Sequence, residues 1–525
     1  MFQDEEKRAE NDTVLLTECV KKGRIKSLYT ICKEGGIRVK RFFAAVLAAC
    51  LVLTSCASFT MLSGEGKIDL PEESSQSFSP EFPPADEPLP IDKESSSSEE
   101  EPVSEKEEPT VSQPYFEAES SSVPASSASS QAASSSSVPV SVSSSTAPVV
   151  SVPVSSAKPS SGEVRAVWIS YLEFLSHAKN VSKSQFKAWV SDMFSTAADY
   201  GLNTVYVQVR PFGDALYDSD IFPWSYVLTG SEGSNPGYDP LDIMVDCARE
   251  NGLRIEAWLN PYRVRAAGSD RELSASNPAY EALKNGDRLA IKYDGGVFYN
   301  PASAEARELI ADGVREILEN YDVDGIHFDD YFYPTTSSAF DDEEYDEYTS
   351  NGGTLSLSDW RRKNVTLLIK EVSSTIRNTN PDATFGISPQ ARMDINYNAQ
   401  YADIEAWADA GYMDYVCPQI YFGFDHGSYP FDDLADDWAG VVKGTGVDLY
   451  IGLAVYKIGV ADSYAGSGSK EWINNDDILE QMVKYTRNMP ECDGFVLYRY
   501  DSLFNPEASV KSAVKSERSN LASIL

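Results

Sequence analysis

The sequence predicts an α/β fold of the (β/α)8 class, a TIM barrel, for the part of the chain from residue 162 to residue 525. From Gly162 onward, short apolar strands alternate with amphipathic helical stretches, and eight such strands follow one another with no second run of strands after them. Repeats of a strand and a helix form parallel sheets, and eight repeats close as a barrel. A doubly wound open sheet is the alternative, but no glycine-rich phosphate-binding turn follows the first strand.

The predicted elements follow the order that βα units produce. Strands are predicted at 164–170, 203–210, 254–260, 325–331, 383–390, 415–422, 449–456 and 494–500. Helices are predicted between them, for example at 183–200, 240–251, 304–320, 358–379 and 476–488.

The segment before the barrel has the features of a secretory signal. Basic residues within 38–41 precede an apolar run at 42–53, and small residues then lead to Cys56. This order is typical of a signal peptide, and the run is shorter than the roughly 20 residues of a membrane-spanning helix. The ending Leu53-Thr54-Ser55-Cys56 resembles the lipobox of bacterial lipoproteins. The resemblance implies a signal peptide at 37–56, lipidation of Cys56 and anchoring at the outer face of the cell membrane.

Two further segments lie outside the predicted barrel. Residues 1–36 are mixed in charge and too long to open a signal peptide, and Lys33 to Gly36 could be encoded by a ribosome-binding site. We therefore expect translation to start near residue 37 or 39, with a genuine cytoplasmic extension as the alternative. Residues 57–161 are acidic and rich in Ser and Pro, so they have few large apolar groups to offset the entropy of ordering. A disordered linker is predicted there.

Composition excludes several classes of partner. A formal net charge of −37 argues against nucleic acid and against binding to anionic lipid, so membrane attachment is expected through the lipid anchor only. The seven cysteines have no paired-motif spacing and only three histidines occur, which argues against a structural zinc site or a disulfide framework. We expect no cofactor, no metal and a monomer.

Polar and aromatic residues concentrate where the predicted strands end, which is where barrel enzymes place their chemistry. Side chains two positions apart share a face of a strand. This rule predicts four inward-facing sets: Tyr206, Gln208 and Arg210; Glu256, Trp258 and Asn260; His327, Asp329 and Tyr331; and Gln419 and Tyr421. Burying so many polar groups is costly unless partners or a polar ligand satisfy them. Aromatic rings beside amides and carboxylates indicate a glycan cleft.

Eight motifs occur in a fixed order along this domain: Glu163 to Trp168, Gln208 to Asp214, Pro223 to Ser225, Trp258 to Arg263, Gly325 to Pro334, Asp359 to Asn364, Pro418 to Tyr421 and Tyr450 to Gly452. Together they resemble the glycosyl-hydrolase-like 10 family of bacterial envelope proteins, from about residue 163 to residue 505. The resemblance implies a (β/α)8 barrel, glycosidase activity and peptidoglycan strands as the substrate class. Glu256 departs from the family pattern, in which a histidine is expected.

Glycoside hydrolysis usually requires two carboxyl groups. Asp329 at the end of the fourth strand is the first candidate and Asp330 the second. For the partner carboxyl we favour Asp214, and the alternatives are Glu256, Asp394 and Asp501. The fourth strand is similar to the Asp-Gly-Ile-x-x-Asp strand of chitinase-type barrels. Those enzymes need a glutamate where this chain has Tyr331, so their substrate-assisted mechanism is not predicted.

Sugar binding is predicted for the polar side chains of the strand ends and stacking for nearby rings. The predicted binding residues are Gln208, Arg210, Trp224, Trp258, Asn260, Tyr262, His327, Tyr331, Gln419 and Tyr421. The structural alternative is that His327 is a hydrogen-bonded interior residue and that the aspartates pair with nearby arginines. Two functions therefore compete. The first is a glycoside hydrolase acting on peptidoglycan or another cell-wall polysaccharide, and the second is a catalytically silent glycan-binding lipoprotein that uses the same cleft.

Overall fold

A computed structural model describes residues 162–269 and 271–525. The predicted extension at 1–36, the signal peptide with Cys56 and the linker at 57–161 lie outside these residues. Within the described part of the chain, no helix is long and apolar enough to cross a membrane.

The described domain is built around a closed barrel of eight parallel strands. In chain order the barrel strands are β1 (Val164–Ile169), β2 (Thr204–Arg210), β3 (Arg254–Leu259), β7 (Gly325–Phe328), β8 (Thr384–Ile387), β9 (Tyr415–Val416), β10 (Asp448–Ala454) and β11 (Cys492–Tyr498). Each strand pairs with the next along the chain, and β11 pairs with β1 to close the barrel. The predicted (β/α)8 fold is confirmed, and a strand occurs at each of the eight predicted positions. However, β7, β8 and β9 end several residues before the predicted bounds at 331, 390 and 422.

Helices surround the barrel and fill the connections between its strands. They are α1 (Tyr171–His177), α2 (Lys183–Asp199), α3 (Tyr226–Thr229), α4 (Pro240–Glu250), α5 (Pro278–Asn285), α6 (Ala304–Asn320), α7 (Asp342–Ser350), α8 (Leu357–Thr379), α9 (Met393–Asn398), α10 (Ile404–Asp409), α11 (Phe431–Val442), α12 (Glu471–Asn474), α13 (Ile478–Thr486), α14 (Tyr500–Phe504) and α15 (Lys511–Ala522). Short 3-10 turns occur at Ser338–Phe340, Val455–Lys457 and Gly466–Gly468.

The long helices begin where the sequence supplies a capping residue. Ser182 caps α2 and forms a reciprocal capping box with Gln185, while Asp239 caps α4 directly before Pro240. Such caps satisfy amide groups that the first helical turn leaves without partners, and each stabilises a helix by about 1 kcal/mol. The predicted helices at 183–200, 240–251, 304–320, 358–379 and 476–488 agree with the observed helices to within a few residues.

The expectation that no second sheet exists is wrong. Between β3 and β7 the chain forms a three-stranded antiparallel sheet of β4 (Arg263–Arg265), β5 (Ala290–Tyr293) and β6 (Gly296–Tyr299), in the order β4-β6-β5. Asp294 and Gly295 connect β5 to β6 with φ angles of 44° and 74°. A two-residue Asp-Gly loop with both φ angles positive is a favoured hairpin turn, so the sequence did contain a sign of this hairpin. The strands on either side of the turn have only four residues each, which is too short for a clear alternating pattern.

Two apolar layers stabilise the barrel. The outer layer lies between strands and helices, and the inner layer fills the barrel with Trp168, Tyr206, Trp258, Tyr415 and smaller side chains. Large rings fit inside only where a neighbouring strand has no side chain. Gly386 on β8 provides such a space, because a Cβ there would lie within the ring of Tyr415.

Gly386→Ala is expected to lower the free energy of unfolding by about 3 kcal/mol, because the added methyl displaces a buried ring. Gly440 in α11 is the matched control, since a Cβ there meets no atom within 4 Å. Gly440→Ala is expected to raise stability by about 0.5 to 1 kcal/mol through helix propensity. Urea unfolding followed by circular dichroism measures both, and equal effects of the two substitutions would contradict this account of the barrel interior.

Candidate active site

A directional hydrogen-bond chain crosses the mouth of the barrel from β2 to β7. The Gln208 amide oxygen accepts from the backbone N–H of Tyr171 at 2.9 Å, which fixes the orientation of this side chain. Gln208 Nε2 donates to Asn260 Oδ1 at 2.6 Å, and Asn260 Nδ2 donates to Asp329 Oδ2 at 3.0 Å. All three side chains are buried. Gln208 on β2 thus orients the Asn260 amide, and the Asn260 N–H is the donor that the Asp329 carboxyl accepts.

The second carboxylate oxygen of Asp329 is held from the opposite side. Oδ1 accepts from the backbone N–H of Asp330 at 2.9 Å and faces Gln419 Nε2 at 3.4 Å. Gln419 Nε2 also donates to the carbonyl of Ser388 at 2.9 Å. An ionised carboxylate is acceptor-only, so donors on both oxygens match this form and fix the plane of the group. The Asp329 carboxyl is therefore held in a fixed orientation at the end of β7.

Asp330 lies beside it in a different electrostatic state. Its side chain is buried, and it hydrogen-bonds to the Asp329 carboxyl and to Gln390. Burial first, and then the negative charge of Asp329, raise the pKa of Asp330 well above its ordinary value. Two adjacent carboxyls of which one retains its proton are the arrangement that separates an acid from a base. The structure therefore brings together the two leading catalytic candidates.

His327 lies directly beneath this pair, inside the barrel. Trp168 Nε1 donates to His327 Nε2 at 3.2 Å, and His327 Nδ1 contacts the Tyr415 hydroxyl at 2.8 Å. Because an indole nitrogen only donates, Nε2 must be the unprotonated nitrogen and Nδ1–H the donor. Burial lowers the pKa of His327 to about 3. The ring is neutral and fully buried, as in the structural alternative for this residue, and it supports the floor of the mouth.

Glu256 lies at the opposite end of the barrel interior. It accepts from the Tyr415 hydroxyl at 2.6 Å and from Thr384 Oγ1 at 2.9 Å, and its strand position is paired with Gly325 at the start of β7. Burial raises the pKa of Glu256 to about 7. Tyr415 thus donates to Glu256 while it accepts from His327, so the interior forms one continuous chain. Glu256 is level with the start of β7, whereas Asp329 follows the end of that strand, so Glu256 does not lie at the mouth.

Asp214 belongs to a loop anchor instead of the strand-end network. Its Oδ2 accepts from Arg271 at 2.9 Å and from the backbone N–H of Tyr226 at 3.1 Å. Arg271 also pairs with Glu232, and its guanidinium lies over the ring of Tyr226 at 4.3 Å. The anchor ties the loop after β2 to the segment after β4. Asp214 is fully buried in it, and the structure does not place it with Asp329 and Asp330.

Arg210 does not share a face with Tyr206 and Gln208. The register between β2 and β3 shifts between Gln208 and Arg210, so Arg210 pairs with Leu259 and its side chain turns toward the helices. Its guanidinium packs on the ring of Phe222 at 4.6 Å. The alternation rule failed here because a β-bulge adds one residue to the strand.

The remaining predicted residues divide between mouth and core. Tyr331 is 47% exposed at the mouth, and Tyr421 is buried and stacks on Tyr498 at 5.5 Å. Trp258 belongs to the inner apolar layer, and its ring meets His327 edge-on at 6.3 Å. Tyr262 is fully buried and, with the half-buried Trp224, packs in the outer apolar layer.

The other two carboxyl alternatives point elsewhere. Asp394 pairs with Arg392 at the surface, and Asp501 accepts from Asn505 within α14.

Sequence reasoning missed several residues of the rim. Arg263 lies between the rings of Phe212 and Tyr331, at 4.8 and 4.7 Å, and its Nε donates to the carbonyl of Pro211 at 3.0 Å. Its terminal nitrogens make no hydrogen bond within the described residues. Gln390 was missed as well. Arg263 follows Tyr262, which was predicted to bind sugar, and it lies shortly after the predicted strand at 254–260. This position at a strand end was the available sign that Arg263 could belong to the rim.

A buried ion pair, also missed, supports the rim near β1 and β11. Glu173 is fully buried in the capping box of α1, where it accepts from the backbone N–H and hydroxyl of Ser170. Arg499 pairs with its other oxygen, which also accepts from the backbone N–H of Asp501 at 3.2 Å. Both carboxylate oxygens of Glu173 accept hydrogen bonds, which fix the group in position. The fixed carboxylate in turn holds the Arg499 guanidinium in place.

Two surface hollows lie away from the mouth. One of about 720 Å³ is lined by Trp360, Tyr348 and the start of α6, and another of about 440 Å³ opens at the base of the barrel beside Thr384 and Tyr450. Neither contains Asp329, Asp330 or Gln419. The candidate site is therefore identified from its pair of fixed carboxyl groups, since neither hollow coincides with it.

Comparisons with known proteins identify a family and several similar proteins. A family model described as Glycosyl hydrolase-like 10 matches residues 163–472. Glycosyl hydrolase DigH of Escherichia coli (strain K12) is 35% identical over 393 residues, covering 69% of this chain and 88% of that protein. Glycosyl hydrolase YngK of Bacillus subtilis (strain 168) is 35% identical over 355 residues, covering 64% and 69%. The solved glycoside hydrolase domain of PgaB (BpsB) from Bordetella bronchiseptica has a TM-score of 0.46 at 12% identity, covering 68% of this chain and 99% of that domain.

The buried Asp214 makes stability depend on pH. Burial raises the pKa of Asp214 from 3.8 to about 7, so its folded form binds a proton more tightly than its unfolded form. Its contribution is full below pH 4 and is lost as the pH rises to about 7, a loss of about 4 kcal/mol. In Asp214→Asn this loss should disappear, and urea unfolding at steps between pH 4 and 7 measures it. Asp322→Asn removes an exposed carboxyl and is the control, expected to parallel wild type.

Proposed function

The chain belongs to the glycosyl hydrolase-like 10 family and is a glycoside hydrolase, and from this premise we propose that it cleaves peptidoglycan strands with Asp330 as proton donor and Asp329 as the ionised partner. The observation that carries the proposal is the hydrogen-bonded pair of carboxyls at the end of β7. The Asp329 carboxyl accepts hydrogen bonds from fixed N–H groups on both oxygens, and the pKa of Asp330 is raised by burial and by its neighbour.

The reaction uses the two carboxyls in sequence. In the free protein the Asp330 proton is shared with Asp329. When a glycan enters the mouth, its glycosidic oxygen replaces Asp329 as the acceptor of this proton. Proton transfer from Asp330 to that oxygen accompanies cleavage of the glycosidic bond, and positive charge develops on the sugar ring. The Asp329 carboxylate, fixed by Asn260 and Gln419, stabilises this charge without having to reorganise. A water molecule from the solvent then bonds to the anomeric carbon and gives a proton to the Asp330 carboxylate, so the sugar gains a hydroxyl and the acid is restored.

Support for peptidoglycan comes from the rim and from the N-terminal segment. The exposed Tyr331 and the half-buried Tyr498 offer aromatic surface for sugar rings. The terminal nitrogens of Arg263 are available to a carboxylate, and peptidoglycan carries carboxylates on its lactyl ethers and stem peptides. We also propose lipidation at Cys56, with residues 57–161 as a spacer, which would hold the domain outside the membrane near the cell wall.

Asp329→Asn and Asp330→Asn are each expected to lower the cleavage rate by about 10² to 10⁴, the usual contribution of a positioned acid or base. The assay incubates the purified protein with peptidoglycan, either intact or stripped of stem peptides, and identifies soluble fragments by mass spectrometry. Asp312→Asn, on the outer helix α6, is the matched control and should retain the wild-type rate.

Each other outcome of this assay has a distinct meaning. Fragments that persist in both strand-end variants would move the chemistry away from β7. Glycan that is bound and not cut by the wild-type protein would favour the catalytically silent function. Cleavage of other polysaccharides alone would exclude peptidoglycan and leave the carboxyl assignment intact.

The roles of the two carboxyls can be separated with an activated substrate. A dinitrophenyl glycoside needs no proton on its leaving group, so Asp330→Asn should cleave it within about tenfold of the wild-type rate, whereas Asp329→Asn should not. Because the pKa of Asp330 is raised, the wild-type enzyme should remain active through neutral pH and lose activity on the alkaline side. This alkaline loss should be absent when Asp330→Asn acts on the activated substrate. The opposite pattern between the two variants would reverse the assignment.

A further inference from the structure

Two amide side chains from the segment after β8, Gln390 and Gln400, form a bracket around Asp330. The Gln400 amide nitrogen donates to the backbone carbonyl of Asp330 at 3.1 Å and to that of Tyr333 at 3.2 Å. The Gln400 amide oxygen accepts from Gln390 Nε2 at 2.9 Å. In this orientation the amide nitrogen meets only acceptors and the amide oxygen meets a donor, so both ends of the Gln400 amide are satisfied.

The backbone of this bracket is itself fixed. The Asn396 side chain accepts from the backbone N–H of Gln390 at 3.0 Å and donates to the Gln390 carbonyl at 2.8 Å. The backbone N–H of Gln400 donates to the carbonyl of Ile395 at 3.1 Å. Asn396 and Gln400 are both buried. Side chains that are locked in this way by their own partners can hold a neighbouring group in one orientation.

Gln390 also contacts the carboxyl of Asp330. An amide nitrogen has two N–H groups, and Gln390 uses one on Gln400 and the other on the Asp330 side chain. In a protonated carboxyl the carbonyl oxygen is the better acceptor, so the N–H of Gln390 selects this oxygen. The proton is then carried by the other oxygen, which in the free protein shares it with Asp329.

We propose that Gln390 and Gln400 are positioning residues for the proton donor Asp330. Gln400 fixes the backbone of Asp330, and Gln390 fixes its carboxyl so that the proton stays on the oxygen that Gln390 does not contact. The inference rests on the proposed role of Asp330 as the acid, and it adds how the protein orients that acid. A carboxyl with a fixed plane and a fixed proton position needs no rotation before proton transfer, which lowers the barrier to the reaction.

The bracket also acts on the protonation of Asp330. The titratable groups beside this carboxyl are Asp329 before it and Tyr331 after it, and Arg263 from the segment after β3 lies over the Tyr331 ring at 4.7 Å. Burial first, and then the charge of Asp329 and its hydrogen bond, raise the pKa of Asp330, whereas the hydrogen bond from Gln390 lowers it. An N–H donor stabilises the ionised carboxylate, so removing this donor should raise the pKa of Asp330 further.

The test measures Gln390→Leu in the full chain on two substrates. Cleavage of peptidoglycan is expected to fall by about 10- to 100-fold, as for the loss of a hydrogen bond to an ionisable group. The dinitrophenyl glycoside needs no proton on its leaving group, so its rate should stay within about twofold of the wild-type rate. The alkaline limb of the pH profile for peptidoglycan should move to higher pH. A merely structural role of Gln390 would lower both rates together and leave this limb in place, which would overturn the proposal.

Gln481→Leu is the matched control. Gln481 also donates from Nε2 to a carboxylate, that of Asp477 at 2.7 Å, but it lies on the outer helix α13. Both rates and the alkaline limb of this variant should equal those of wild type. If Gln390→Leu does not fold, Gln390→Glu serves as the test, because it keeps the size of the side chain and replaces the N–H donor by an acceptor. The same selective loss on peptidoglycan is expected.

Asp330→Asn, assayed in parallel, separates a failure of this inference from a failure of the proposed function. If Asp330→Asn loses peptidoglycan cleavage selectively and Gln390→Leu retains the wild-type rate on both substrates, the bracket does not position the acid and the inference alone is wrong. If Asp330→Asn affects both substrates equally, Asp330 is not the acid, and the inference is wrong together with that assignment.

Discussion

A hydrogen-bonding group inside a closed barrel can be satisfied only by another group inside the barrel, because no water layer separates the strands. His327 illustrates this constraint, with its two ring nitrogens bonded to Trp168 and Tyr415 and its charge suppressed by burial. Tyr415 can accept from His327 only because it donates to Glu256. Glu256, Tyr415 and His327 thus form a column of hydrogen-bonded side chains from the base of the barrel to the floor of the mouth. The direction of each hydrogen bond in this column is determined by the bond below it. A single buried substitution in the column would leave a polar group unsatisfied at about 1 to 3 kcal/mol.

The same constraint acts differently on the two aspartates at the upper end of the column. Asp329 receives N–H donors on both oxygens, and Asp330 receives its neighbour's charge in a buried setting. Two identical side chains in adjacent positions thus have different hydrogen-bond partners, and burial beside Asp329 raises the pKa of Asp330. The amides on Asn260 and Gln419 follow strands that lie on opposite sides of β7 in the sheet, so these strands must be paired before the site exists. Fold and chemistry are therefore coupled through a few amide groups.

Periodicity in the sequence was sufficient for the barrel and for the inward direction of Gln208, Asn260 and Asp329. It was insufficient where the backbone leaves the regular pattern. The bulge before Arg210 reverses the face of that side chain, and a bulge has no reliable signature in a single sequence. Asp214 had the same residue type and turn context as a catalytic carboxyl, yet its partner Arg271 lies far along the chain in a segment with no predicted element. Pairings of this kind depend on the tertiary fold.

Arg210 and Asp214 also show why polar residues near a catalytic mouth need not be catalytic. The loop after β2 rises above the barrel, and its backbone must be held in place for the mouth to remain open. Asp214 holds one side of it through Arg271, and the guanidinium of Arg210 packs on the ring of Phe222 in the same loop. Charges are used here because a charged hydrogen bond is stronger than a neutral one and fixes direction as well as distance. The cost is the burial of a charged group. For Asp214 the Arg271 guanidinium offsets part of this cost, yet burial still raises the pKa of the carboxyl to about 7, and no described carboxylate forms an ion pair with Arg210.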